Sequence, residues 1–96
     1  MKVGDCIKEL KIHGLAEEAI GDNGEKQSVL SGKAVCLIEE AWLLMRERYP
    51  EATEEDVTIR ALIVVVLEKM GLVYRKNLPD YISAIRSLAE NGHYEQ

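Results

Sequence analysis

The apolar residues of this chain are concentrated in one uninterrupted run, ALIVVVL, at positions 61–67. Charged residues stand on both sides of the run, with acids at 54–56 before it and Glu68 and Lys69 after it. Exposure of such a run on a monomer is costly, because each Å² of apolar surface removed from water contributes about 25 cal/mol. We therefore expect the run either to form the centre of the core or to pair with another copy of the chain.

The residues around the run predict that it lies within a helix at 54–70. Thr53 is suited to be the N-cap, and Asp56 follows it in a capping-box-like arrangement. Gly71 is suited to end the helix after Lys69. The β-branched residues at 63–66 would also suit a strand, but the length between the start and stop signals favours a helix.

A second amphipathic helix is predicted at 31–49. Its apolar residues recur at spacings of four, three and four, at Ala34, Ile38, Ala41 and Met45. Ser31 is a suitable N-cap, although Ser28 could start the helix one turn earlier, and Pro50 ends it. Cys36 and Leu43 are exceptions to the pattern, because they fall on the polar face.

The N-terminal segment, residues 1–20, is predicted as a helix in two pieces with a bend at Gly14. The apolar residues before and after Gly14 point to different sides of a helical wheel, and glycine weakens a helix interior by about 1 kcal/mol. A strand at 3–12 is the competing interpretation. Residues 21–33 are rich in Gly, Asp, Asn and Ser and are predicted to form a flexible loop.

The last predicted helix covers 78–91, with Pro79 in its first turn and residues 93–96 as a frayed tail. These elements predict the all-α class. The expected architecture is a small helical bundle with three main helices and a bent N-terminal segment. The length of 96 residues indicates one domain, 1–96.

The composition indicates a folded cytoplasmic protein. Its 17 acidic and 12 basic residues give a net charge of −5, which disfavours non-specific binding to nucleic acid or to anionic membranes. The apolar run is far shorter than the roughly 20 residues that span a bilayer. In the cytoplasm Cys6 and Cys36 would be reduced, but the sequence leaves a disulfide between them open.

Carboxylates form two groups on neighbouring predicted helices, Glu39 with Glu40 and Glu55 with Asp56. Acids one turn apart on facing helices can hold Mg²⁺. This layout resembles that of the all-α nucleotide pyrophosphatases, a resemblance that implies a metal-dependent nucleotide hydrolase. The sequence departs from their motifs, with Leu43 in place of the third acid and Thr58 or Ile59 where a further acid is needed. We keep this function as an alternative and do not assign the chain to that family.

A helix-turn-helix regulator is the other alternative. The predicted helices 31–49 and 54–70 are joined by a short connection, as in DNA-binding units. The basic residues available for DNA are Arg75, Lys76 and Arg86. The second helix, however, begins with acids and continues with apolar residues, which does not suit a recognition helix.

The leading hypothesis is a non-enzymatic interaction or regulatory module that forms a homodimer through apolar helix faces. The expected contact residues are Cys36 and Leu43 on one helix, and Ile63 and Val66 on the next. Spacings such as CxxC, HxxxH and HExxH are absent from the sequence. We therefore expect no metal or other cofactor.

Overall fold

The computed structural model describes residues 3–71 and 77–91. This part of the chain is mostly helical and contains one small two-stranded sheet. In chain order the elements are α1 (Val3–Ile12), β1 (Ala16–Ile20), β2 (Lys26–Leu30), α2 (Gly32–Arg48), α3 (Glu54–Met70) and α4 (Leu78–Glu90).

The N-terminal region differs from the sequence prediction after its first helix. α1 is a helix, so the competing strand at 3–12 is wrong. The helix ends at Ile12 and is followed by a turn at Gly14, whose positive φ of 75° suits glycine. The residues that follow are not a second helical piece but strand β1, which pairs with β2 in antiparallel register from Ala16↔Leu30 to Ile20↔Lys26.

The predicted loop at 21–33 is correspondingly reduced to the turn of this hairpin. Asn23 accepts a hydrogen bond from the backbone of Glu25 at 3.0 Å, and Gly24 has a φ of 80°. These are the turn residues that the sequence indicates. The residues on either side of the turn pair with each other as two strands. Ala16 and Leu30, at the base of the hairpin, are buried in the core.

Ser31 joins the hairpin to α2. Its Oγ accepts a hydrogen bond from Ala34 N at 3.0 Å, as expected of an N-cap, and donates one to Gly14 O at 2.7 Å. Its backbone N–H donates to Leu15 O at 3.1 Å. Ser31 is 2% exposed, so a single buried side chain fixes the start of α2 against the turn that follows α1.

The predicted bounds of α3 are confirmed. Thr53 Oγ1 accepts from Asp56 N at 3.1 Å, and Gly71 ends the helix with a φ of 79°. The connection from α2 is held by Arg46, whose guanidinium donates to Pro50 O and to Ala52 O at 3.1 and 2.7 Å.

α4 begins one residue before Pro79, as the proline pattern predicts. Its C-terminal end is attached to the hairpin by Asn91, whose side chain donates to Ser28 O at 3.0 Å. Residues 72–76, and with them Arg75 and Lys76, lie outside the described residues, as does the predicted tail at 93–96.

The core is organised around α3. One side of this helix packs against α2 and another against α4, and α1 packs on α4. Six of its residues are buried: Val57, Ala61, Leu62, Val65, Val66 and Met70. The prediction that the apolar run forms the centre of the core is confirmed for most of its length.

The two thiols are free and lie in opposite environments. Cys6 is fully buried on the inner side of α1, whereas Cys36 is exposed on α2. Burial raises the pKa of the Cys6 thiol, and the nearby carboxylate of Asp80 adds to the rise. Both effects keep Cys6 in its neutral, unreactive form.

We expect replacement of Ser31 by alanine to destabilise the fold more than replacement of Thr53 by alanine. Thr53→Ala removes an exposed cap and should cost about 1 kcal/mol. Ser31→Ala also leaves the Gly14 carbonyl without its buried donor and should cost about 2 kcal/mol. Urea unfolding of both variants at one protein concentration measures the difference. An equal loss would show that the contact to Gly14 contributes nothing.

We expect one thiol of the native protein to react rapidly with a thiol-specific disulfide reagent and the other only on unfolding. The fast thiol is Cys36, because the thiolate of Cys6 is both disfavoured and inaccessible. Cys36→Ser should abolish the fast phase and Cys6→Ser should leave it unchanged. A fast phase that survives Cys36→Ser would contradict the burial of Cys6.

Candidate interaction face

One side of the α2–α3 pair carries apolar side chains that the rest of the described chain leaves open. We define the α2–α3 face by five residues: Leu37, Leu44, Tyr49, Ile63 and Val64. Two depressions on this face are lined only by residues of α2, Tyr49 and residues of α3. Leu44 is 54% exposed and Tyr49 is 38% exposed, and the other three are partly buried.

The face is open because α3 has no polar side. Apolar residues occupy all positions from 61 to 67, whereas α2 and α4 cover only part of the circumference. Ile63, Val64 and Leu67 remain half-buried. The side of the run that the described residues leave only partly covered is therefore the side of Ile63, Val64 and Leu67.

Charged residues of opposite sign lie at the two ends of the face. α2 and α3 run antiparallel, so Glu40 and Glu68 line the same depression, together with Lys69. The depression at the other end is lined by Arg48 and Arg60.

Arg60 is held in place by the ring of Tyr49, because its guanidinium carbon lies 4.4 Å from the ring centroid. The ion pairs Lys11–Glu18 and Arg86–Glu55 of the described residues do not involve the charges at the ends of the face. The charges at the ends of the face are therefore available to a partner.

The predicted contact residues lie in three places: on the α2–α3 face, on the outer side of α2 and in the core. Ile63 lies on the α2–α3 face. Cys36 and Leu43 are exposed on the outer side of α2, where Leu43 is 65% exposed and lines a separate depression with Glu39 and Trp42.

Val66 is fully buried in the interior of the bundle and is not part of the α2–α3 face, and its role as a contact residue stays a prediction. Leu44 was not among the predicted contacts. The sequence feature that could have identified Leu44 as a contact is its spacing of seven residues from Leu37, which places both leucines on the same side of α2.

The basic residues considered for DNA binding are not assembled into a described site. Arg86 forms an ion pair with Glu55 and so joins α4 to the start of α3. Arg75 and Lys76 lie outside the described residues. The first turn of α3 is acidic, as expected from the sequence.

The carboxylates considered for magnesium are also far apart. Glu40 lies beside Glu68, near the end of α3, whereas Glu55 and Asp56 are in its first turn. Glu68 is 13 positions after Glu55, which corresponds to about 20 Å of helix. Across the two described ranges, no three or more His, Cys, Asp or Glu residues come together as a possible metal site.

Each helix in the described part of the chain is too short or too polar to cross a membrane. No protein-family model, no curated protein and no solved structure matches this chain.

Proposed function

We propose that this protein is a non-enzymatic interaction module that forms a homodimer through the α2–α3 face. The observation that carries the proposal is the open position of Leu44 beside the half-buried Ile63 and Val64. These side chains extend the core to the surface, with no element of the described chain over them.

The energetic argument favours covering this face. Full burial of a leucine or valine side chain contributes about 1.5–3 kcal/mol. In a twofold-symmetric contact each residue is buried twice, once in each copy. Because Leu44 is 54% exposed and Val64 is already partly buried, these two residues would supply only part of that value in each copy, or about 2–4 kcal/mol in the dimer, towards the cost of association.

The size of the face also suits a dimer. Two helices of 17 residues each are about 25 Å long and lie about 10 Å apart. With their side chains they present a footprint of about 25 by 20 Å. This is about 500 Å² on each partner, or about 1,000 Å² for the pair, which is near the lower bound for a specific interface.

The chemistry of the face favours contact over catalysis. Its centre is aliphatic and its charges stand at its ends, an arrangement that resembles the apolar core and polar rim of protein interfaces. Its half-buried valine and isoleucine have restricted rotamers and lose little side-chain entropy on packing.

We expect the wild-type protein to sediment as a dimer at high protein concentration and Leu44→Glu to sediment as a monomer. A buried glutamate in each copy would remain uncompensated at the centre of the contact. Leu43→Glu is the matched control, because it introduces the same charge at a more exposed leucine one residue away, off the face. Sedimentation equilibrium measures both variants, and circular dichroism confirms that they fold.

Two outcomes would contradict the proposal. A wild-type protein that remains monomeric at high concentration would exclude self-association. Dissociation by Leu43→Glu with no effect of Leu44→Glu would place the contact on the outer side of α2, with Cys36 and Leu43, as the sequence predicts.

A further inference from the structure

The charges at the ends of the α2–α3 face are placed symmetrically about its two central residues. On α2, Glu40 and Arg48 lie four residues before and four residues after Leu44. On α3, Arg60 and Glu68 lie four residues before and four residues after Val64. Each charge is therefore about 6 Å along the helix from the centre of the face, with opposite signs in opposite directions.

When the helices of the two copies lie parallel or antiparallel to each other, a second copy can meet this face in two twofold-symmetric ways. If the twofold axis runs across the helices through Leu44 and Val64, each helix faces its own counterpart in antiparallel orientation. Glu40 then faces Arg48 of the other copy. If the axis runs along the helices, α2 faces α3 of the other copy, and Glu40 then faces Glu68.

One arrangement brings opposite charges together at every charged contact, and the other brings like charges together. With the axis across the helices, Glu40 meets Arg48 and Arg60 meets Glu68, each pair occurring twice. With the axis along the helices, acids meet acids and arginines meet arginines, and such contacts cost several kcal/mol at an interface.

Two further charged residues near the face, Lys69 and Glu47, do not change which of the two arrangements the charges favour. Lys69 lines the acidic depression but is outnumbered there by Glu40 and Glu68. Glu47 lines a separate depression with Leu44 and Arg48. The depression that holds Arg48 and Arg60 has no acidic residue in its lining.

We infer that the partner of the α2–α3 face is a second copy of this chain, docked antiparallel across a twofold axis at Leu44 and Val64. Glu40 and Glu68 of each copy then pair with Arg48 and Arg60 of the other, respectively. This inference rests on the proposed dimer and adds its orientation and register. The charge pairs select this orientation, and the apolar centre supplies most of the affinity.

Charge reversal on α2 tests the register. We expect Glu40→Arg and Arg48→Glu each to weaken the dimer roughly tenfold, because each creates two like-charge contacts. The double variant Glu40→Arg/Arg48→Glu should restore the wild-type dissociation constant, since the pairs are re-formed with their signs exchanged. Arg60 is left unchanged, because it also contacts Tyr49 within the chain.

Glu39→Arg is the matched control for Glu40→Arg. It makes the same change in net charge at the neighbouring residue, which lies on the outer side of α2. We expect it to leave the dissociation constant within about twofold of the wild type. The positions changed are exposed in the monomer, and thermal melts verify that each variant folds.

The possible outcomes separate this inference from the proposed function. Strengthening of the dimer by Glu40→Arg would show that Glu40 faces an acid, which overturns the register but leaves the dimer intact. Failure of the double variant to recover wild-type affinity would overturn it in the same way. A monomeric wild-type protein would overturn both and leave the face to another kind of partner.

Discussion

The burial of α3 is the constraint on which the rest of this structure depends. Its central residues are apolar all round, so every neighbouring element is placed by the need to keep them from water. α2 covers one side and α4 another, and α1 is held through α4. A chain of 96 residues provides few elements for this purpose. Within residues 3–71 and 77–91, the α2–α3 face is what this arrangement leaves uncovered.

The β-hairpin contributes to the same outcome. After the turn at Gly14 the chain forms a narrow ribbon whose base reaches the core. This ribbon packs mainly against α1 and α4, so it does not cover the α2–α3 face. Ser31 then joins the start of α2 to the turn after α1 through two side-chain hydrogen bonds. The position of α2 is thus fixed at its N-terminus, far from the centre of the face.

Local signals explain which parts of the fold could be predicted from the sequence. Thr53 and Gly71 bound α3 through capping chemistry that involves only residues close in the chain, so the predicted bounds 54–70 are confirmed. The hairpin could not be predicted in this way. Its strands are five residues long and are stabilised by pairing between residues up to 14 positions apart, as at Ala16↔Leu30. AEEAI is equally compatible with a helix when read alone.

The candidate site shows the same division between local and non-local information. The pattern of α3 correctly indicates that apolar surface is in excess, but it does not indicate which side is left open. Val66 and Val64 differ by two positions on one helix, yet one is fully buried and the other lines the open face. Likewise Leu43 and Leu44 are adjacent, and only Leu44 lines the same depression as α3 residues. These differences depend on where α2 and α4 pack, which helical periodicity alone does not specify.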